Sequence, residues 1–143
     1  MDPKIINTQN LRETQEFARD FAKNLKAGDV LCLYGDLGSG KTSFVQGLAK
    51  GLGIIRRIIS PTFIIARRYE IGDLNFYHID LYRTETIQDL LSIGMDEILE
   101  DDKNIVAVEW AEKLLDLIPK KRIDLKFEYI DENTRKITIE NHE

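Results

Sequence analysis

The amino-acid sequence predicts an α/β fold in which helices flank a mostly parallel central sheet. The run Val30–Tyr34 is apolar throughout, which is typical of a strand buried on both faces of a sheet. Asn104–Glu109 has the same character until its final acid. A glycine-rich loop joins the first of these runs to residues 44–52, where apolar side chains recur at helical spacing. A buried strand, a tight loop and an amphipathic helix in this order are typical of parallel α/β folds.

The glycine-rich loop carries the most specific chemical signal in the chain. Residues Gly35–Thr42 read GDLGSGKT and match the pattern Gly-x-x-x-x-Gly-Lys-Ser/Thr at every fixed position. Glycines accept the dihedral angles that aim successive backbone N–H groups inward, and these groups can hold phosphates at the positive end of the helix dipole. The motif predicts a P-loop NTPase fold, in which the lysine reaches the β- and γ-phosphates and the threonine hydroxyl ligates Mg²⁺. The predicted phosphate contacts are Gly38, Ser39, Gly40, Lys41, Thr42 and Ser43.

Length and composition favour one soluble domain. The chain has 143 residues, of which 43% are hydrophobic and 31% charged, and its net charge is −5. We therefore expect a single P-loop domain over residues 1–143 and no general affinity for nucleic acid. The sequence contains no apolar span long enough for a membrane and no signal-peptide pattern. Cys32 is the only cysteine and lies in a predicted buried strand, so we expect a small buried side chain and a cytoplasmic location.

The segment before the P-loop is predicted to contain an extended stretch and a helix. Lys4–Asn7 is extended, and Asn10 has the position of an N-cap with Glu13 three residues later, a variant of the capping box. The following apolar residues share one helical face as far as residue 25, and Gly28 is predicted to end the helix.

The segment after the P-loop helix is predicted to contain two hairpins and two short helices. Phe63–Glu70 and Leu74–Asp80 alternate as strands around the turn at residues 72–73, and Arg122–Tyr129 and Arg135–Glu140 form a closing hairpin. The helices predicted are Ile87–Ile93, with a break at Gly94, and Ala111–Leu117, which stops before Pro119.

Two acids at predicted strand ends are candidates for the metal and for the attacking water. A P-loop requires a strand-end acid for Mg²⁺ and a group that positions the nucleophile. Glu109 follows an apolar run and is predicted to bind the metal together with Thr42. Asp80 ends a more alternating strand and is predicted to lie near the γ-phosphate and the water. The reverse assignment of the two acids remains open at this stage.

Other residues near these motifs have both functional and structural interpretations. Ser60 and Thr62 lie on the loop after the P-loop helix, where a threonine often senses the γ-phosphate in switch proteins, but an ordinary Ser-Pro-Thr turn fits equally well. His78 shares a strand face with Asp80, and a lone strand histidine is more often structural than catalytic. Arg135 begins the last predicted strand, where a P-loop fold can bring it close to the nucleotide base.

Taken together, these motifs resemble those of the TsaE (YjeE) family, small bacterial ATPases required for threonylcarbamoyladenosine in tRNA. The resemblance rests on the P-loop, Ser60–Thr62, the run Tyr77–Arg83 and the pair Glu109-Trp110, in the family's order and spacing. It extends over Thr14–Pro119, and the His-x-Asp-x-Tyr-Arg run makes it specific. The chain departs from the common pattern at residues 67–68, where two arginines replace less basic residues.

The resemblance implies a cofactor, partners and further site residues. The cofactors are ATP and Mg²⁺, and the partners are TsaD and TsaB, the subunits that transfer the threonylcarbamoyl group to adenosine; tRNA is involved only indirectly. The residues matching Thr14 and Trp110 lie near the nucleotide, and the segment matching Ser60–Thr62 is a switch. We also expect Leu11 to contact the nucleotide. The predicted catalytic residues are Lys41, Asp80, Glu109 and Thr62.

Three other functions compete with that of a partner-coupled ATPase. A regulatory GTPase would carry Asn-Lys-x-Asp and Asp-x-x-Gly, and neither motif occurs in the sequence. A small-molecule kinase would require an arginine-bearing lid and an acceptor segment, for which little chain remains. A binding module that uses ATP as an assembly signal, with little hydrolysis, would keep the same phosphate and metal residues, so the sequence does not exclude it.

Overall fold

A computed structural model describes residues 3–36, 38–55 and 66–143. The strands are β1 (Lys4–Thr8), β2 (Val30–Tyr34), β3 (Ala66–Ile71), β4 (Leu74–Asp80), β5 (Asn104–Glu109), β6 (Arg122–Tyr129) and β7 (Arg135–His142). The helices are α1 (Leu11–Ala22), α2 (Lys41–Gly51), α3 (Ile87–Ser92), α4 (Met95–Glu100) and a 3₁₀ helix (Ala111–Leu117). Within the described ranges, no helix combines the length and the apolar composition needed to cross a membrane.

The described strands form one sheet in the order β1-β7-β6-β2-β5-β4-β3. The four central strands β6, β2, β5 and β4 run parallel, whereas β1 and β7 on one side and β3 on the other add antiparallel pairs. This arrangement confirms the predicted α/β fold with antiparallel hairpin strands. Because parallel strands end at the same edge of a sheet, the residues that follow β2, β4 and β5 meet there.

Strand β2 is buried on both faces, as its unbroken apolar run predicted. Leu31 and Leu33 pack in a core with Phe44 of α2, whereas Cys32 packs in a second core with Leu90 of α3. Burial raises the pKa of the Cys32 thiol to about 12, with a smaller contribution from Asp124. The cysteine therefore acts as a small apolar side chain in this core.

Helix α1 begins as predicted but ends earlier. The Asn10 side chain accepts a hydrogen bond from Glu13 N at 2.8 Å, and the Glu13 carboxylate accepts one from Gln9 N at 3.1 Å. The prediction that the helix continues to Gly28 was wrong, because it ends at Ala22 and Leu25 N bonds to Ala22 O in a turn. Leu25 still packs against the core, which explains why its spacing suggested a longer helix.

Three later elements also differ from the sequence prediction. Gly94 has φ +77° and serves as the N-cap of α4, a helix that the sequence analysis did not predict. The segment Ala111–Leu117 is a 3₁₀ helix interrupted at Leu115. Strand β3 begins at Ala66, and the first residues of the predicted strand Phe63–Glu70 lie outside the described residues. The closing hairpin is confirmed, with β7 extending to His142.

Candidate phosphate-binding site

The P-loop leaves the end of β2, a central strand, and enters α2. Gly38 and Gly40 have φ angles of +78° and +106°, values that strongly favour glycine. Gly40 is the N-cap of α2, and no side chain caps this helix, so its first backbone N–H groups are free of a side-chain acceptor. This is the geometry that favours an anion at a helix N-terminus.

The loop also contains a buried hydroxyl group whose partner is missing. Ser39 is 1% exposed, and its Oγ has no hydrogen-bond partner among the described residues. A Cβ on Gly35 would lie 2.7 Å from this Oγ and 2.7 Å from the Phe127 carbonyl oxygen, so the loop is tightly packed at its base. A buried unpaired hydroxyl is uncommon in proteins and fits a position that a ligand completes.

The Lys41 ammonium is held by groups of the chain itself. Lys41 is 4% exposed, its Nζ donates to the Gly35 carbonyl oxygen, and it lies 4.1 Å from the centre of the Trp110 ring. Burial lowers the pKa of Lys41, and Glu109 is the largest of the carboxylates that oppose this shift. The cation is therefore poorly hydrated and placed beside the loop that would receive phosphate.

Thr42 and Glu109 meet at the carboxyl edge of the sheet. The Thr42 hydroxyl lies 3.2 Å from Oε1 and 3.3 Å from Oε2 of Glu109, and the glutamate residue is 3% exposed. One hydroxyl and one carboxylate form the small protein donor set with which P-loops hold Mg²⁺, whose remaining ligands are water and phosphate oxygens. The residues present therefore fit a magnesium ion.

Asp80 lies directly beside Glu109, because the two residues are paired across β4 and β5. Asp80 is half-buried, and its Oδ1 accepts a hydrogen bond from Tyr82 N at 3.0 Å. Burial raises the pKa of Asp80, the Tyr82 hydrogen bond opposes this shift, and the neighbouring Glu109 adds to it. Glu109 is the acid that contacts Thr42, so the geometry favours Glu109 for the metal and leaves Asp80 for another role.

His78 is a member of this site that the sequence analysis considered more often structural. It is 0% exposed, and its Nε2 lies 2.5 Å from Glu109 Oε2. The alternation of β4 placed His78 on the same face as Asp80, and this was the available signal. The contact itself depends on the pairing of β4 with β5, which sequence patterns do not specify.

Trp110 follows Glu109 and has a strained backbone. Its φ of +58° is uncommon for a residue other than glycine, and strain of this type costs about 1–3 kcal/mol. The ring centre lies 4.1 Å from Lys41 Nζ and 5.1 Å from the centre of the Tyr82 ring. The strained backbone thus turns the indole back over the P-loop lysine.

Arg135 lies against the P-loop at Gly40. A Cβ placed on Gly40 would lie 3.6 Å from Arg135 Cγ. The guanidinium lies 4.5 Å from the centre of the Tyr129 ring, and its Nη1 donates to Asp131 O at 2.6 Å and to Thr134 O at 3.1 Å. The structure therefore brings Arg135 next to the P-loop, and its predicted proximity to the nucleotide base stays a prediction.

The remaining predicted residues differ in their surroundings. Leu11 is 57% exposed at the start of α1 and is free to contact a ligand. Thr14 is fully buried, and its hydroxyl lies 2.7 Å from that of Thr8, so it takes part in packing α1 on β1. Ser43 is half-buried in the first turn of α2. Ser60 and Thr62 lie outside the described residues.

Comparison with known proteins shows which family this chain resembles. The family model described as "Threonylcarbamoyl adenosine biosynthesis protein TsaE" matches residues 8–137. A Bacillus subtilis protein named tRNA threonylcarbamoyladenosine biosynthesis protein TsaE is 40% identical over 132 residues, which cover 92% of this chain and 82% of the relative. A Nostoc protein of the same name is 43% identical, over 82% of this chain and 73% of the relative.

A solved structure agrees with these sequence relatives. The crystal structure of Bacillus subtilis YdiB superimposes with a TM-score of 0.81 at 33% sequence identity, covering 99% of this chain and 86% of YdiB. The family model and the solved structure both match most of the chain, including the P-loop. The chain belongs to the TsaE family of threonylcarbamoyl adenosine biosynthesis proteins.

Proposed function

We propose that this protein is a Mg²⁺-dependent ATPase that serves the synthesis of threonylcarbamoyladenosine in tRNA. The observation that carries the proposal is the contact of the P-loop hydroxyl of Thr42 with the buried acid Glu109. Membership of the TsaE family supplies the pathway, since the relatives are named for it.

The phosphates would be held by donors of the loop and of the first turn of α2. The first N–H groups of α2 and the Ser39 hydroxyl are donors that lack side-chain partners among the described residues. Lys41 would exchange the Gly35 carbonyl for phosphate oxygens, which are stronger acceptors for an ammonium. Arg135 lies beside the loop, and Arg135 and the exposed Leu11 are the proposed contacts to the nucleoside.

Thr42 and Glu109 would hold the metal ion. When bound there, the ion would supply positive charge that neutralises the negative charge developing during phosphoryl transfer. Asp80, beside Glu109, would then orient the attacking water, and its raised pKa makes it a better proton acceptor than an exposed aspartate. Thr62, which lies outside the described residues, would sense the γ-phosphate.

Hydrolysis would be coupled to a partner rather than to a small acceptor. A bound nucleotide can drive a change only if the ATP form and the other forms differ in their affinity for that partner. We propose the TsaD–TsaB pair as the partner and residues 58–62 as the segment that it contacts. Contact with tRNA would be indirect.

An ATP-dependent binding module with little hydrolysis is the second candidate. The two candidates share their binding residues and differ only in turnover.

Two measurements test the proposal. Single-turnover hydrolysis of ATP, alone and with TsaD–TsaB, separates an ATPase from a binding module. Titration with Mg²⁺-ATP tests the site itself: Lys41→Ala should weaken binding about tenfold to a hundredfold, as expected for a lost contact worth about 1.5–3 kcal/mol. Lys50→Ala, on the exposed side of the same helix, should bind as the wild type does. Equal affinities in all three proteins would refute the phosphate site.

A further inference from the structure

We infer that His78 is a positioning residue that orients the Glu109 carboxylate for metal binding. The inference rests on the proposed function, since it assigns Glu109 to the metal. It adds a residue that touches neither the proposed nucleotide nor the proposed metal, and that acts through Glu109.

The carboxylate of Glu109 is contacted on two sides. His78 Nε2 lies 2.5 Å from Oε2, and the Thr42 hydroxyl lies 3.2 Å from Oε1. His78 precedes Asp80 by two positions on β4, and Asp80 is paired with Glu109 of β5. The imidazole therefore reaches Glu109 diagonally across neighbouring strands, with its ring held at 0% exposure.

The chemistry of the pair defines which nitrogen carries the proton. An ionised carboxylate can only accept hydrogen bonds, so the contact requires an N–H at His78 Nε2. Nδ1 has no hydrogen-bond partner among the described residues. An unpaired acceptor at that position is less costly than an unpaired buried N–H, which favours the tautomer protonated at Nε2.

Metal binding depends on the orientation of the Glu109 carboxylate. The glutamate side chain is buried, and its own bonds do not fix that orientation. Glutamate has three rotatable side-chain bonds, and a buried carboxylate requires hydrogen-bond partners. The hydrogen bond from His78 restrains Oε2 and so holds the carboxylate where the Thr42 hydroxyl lies 3.2 Å from Oε1 and 3.3 Å from Oε2. Loss of comparable partners of metal ligands typically reduces metal affinity 10- to 100-fold.

A binding experiment separates this role from a purely structural one. Nucleotide affinity is measured in Mg²⁺ and in EDTA, and the ratio of the two values reports the metal contribution. His78→Leu should reduce this ratio by roughly 10- to 100-fold, while the affinity in EDTA stays within about twofold of wild type. His78→Gln places an amide donor near the position of Nε2 and should restore most of the ratio.

The chain supplies a matched control. His142 is the other of its two histidines, and its Nε2 lies 2.9 Å from Asp124 Oδ2. It pairs with Arg122 at the start of β6, at the edge of the sheet opposite to the P-loop. His142→Leu should keep the wild-type ratio. An unchanged ratio in His78→Leu would overturn the inference, and so would an equal loss in Leu and Gln variants. A wild type that binds nucleotide without any metal contribution would instead refute the metal site of the proposed function.

Nitrogen NMR gives a second readout that does not depend on nucleotide or metal. With two histidines in the chain, the spectrum of His142→Leu assigns the His78 ring directly. We expect Nε2 to carry a proton in the wild type, and we expect its resonance to shift in Glu109→Gln. An Nε2 without a proton would contradict the inference, even if the binding ratio fell in His78→Leu. This design keeps the inference testable if the leucine variant folds poorly.

Discussion

The Lys41 ammonium lies 4.1 Å from the centre of the Trp110 ring, so the P-loop cation faces the residue that follows the proposed metal acid. A cation over an indole face is attracted by the ring quadrupole, and burial strengthens this attraction. Trp110 holds the position with a φ of +58°, which places local strain beside the P-loop. The two residues come from different strand–loop units and meet at the common carboxyl edge of the sheet.

This contact predicts an intrinsic fluorescence signal for nucleotide binding. Trp110 is the only tryptophan in the chain, and Lys41 must change partners when it contacts phosphate. Emission should therefore change and saturate as ATP is added in Mg²⁺. Lys41→Met should show an altered starting spectrum and little response over the same titration. A full wild-type response in Lys41→Met would mean that the lysine does not link the phosphates to the indole.

The two neighbouring acids should separate by phenotype. Glu109→Ala should lose the Mg²⁺-dependent part of ATP affinity, because its carboxylate is the one that contacts Thr42. Asp80→Ala should bind Mg²⁺-ATP nearly as the wild type does but hydrolyse it slowly, because a group that positions water acts mainly in the transition state. Equilibrium titration and single-turnover assays measure the two effects. The opposite pattern would exchange the two assignments.

Stability should depend on pH through Asp80. Burial raises the pKa of Asp80 above its unfolded value of 3.8, so between that value and the folded pKa the folded state binds more protons. Stability attributable to this group therefore falls as pH rises through that window. Asp80→Asn keeps an oxygen that can accept from Tyr82 N and removes the charge. Its melting temperature should exceed that of the wild type at pH 7, and the difference should shrink at pH 4.

The control for this pH experiment is an exposed acid of the 3₁₀ helix. Asp116→Asn should change the free energy of unfolding by less than about 0.5 kcal/mol at either pH. A stability difference for Asp80→Asn that does not vary between pH 4 and pH 7 would show that charge burial is not its cause.

Association with the proposed partner should depend on nucleotide. We expect tighter binding to TsaD–TsaB with Mg²⁺-ATP than without nucleotide, and loss of this difference in Thr62→Ala, because that threonine is the proposed γ-phosphate sensor. Pull-down or interferometry in the two nucleotide states measures the difference. Equal association in both states would refute the switch while leaving ATP hydrolysis untouched.

The sequence by itself determined the parts of this protein that depend on neighbouring residues. The P-loop, the buried strands β2 and β5 and the N-cap at Asn10 follow from local spacing, because glycine conformation, strand burial and capping act over a few residues. The end of α1 was less predictable, since Leu25 continues the apolar pattern after the helical hydrogen bonds have stopped. Gly94 indicated a break, but the helix that it caps depends on packing of Met95 in the core.

Only the tertiary structure decided how the site is assembled. Thr42 and Glu109 are 67 positions apart, and His78 and Glu109 are 31 positions apart, yet each pair is in contact. The packing of the Arg135 side chain against Gly40 likewise requires β7 to lie close to the P-loop. Periodicity identifies the face on which a residue lies but not the strand that will be its neighbour. Strand order and register determined these contacts. The order and register in turn result from the burial of two hydrophobic cores, to which the whole chain contributes.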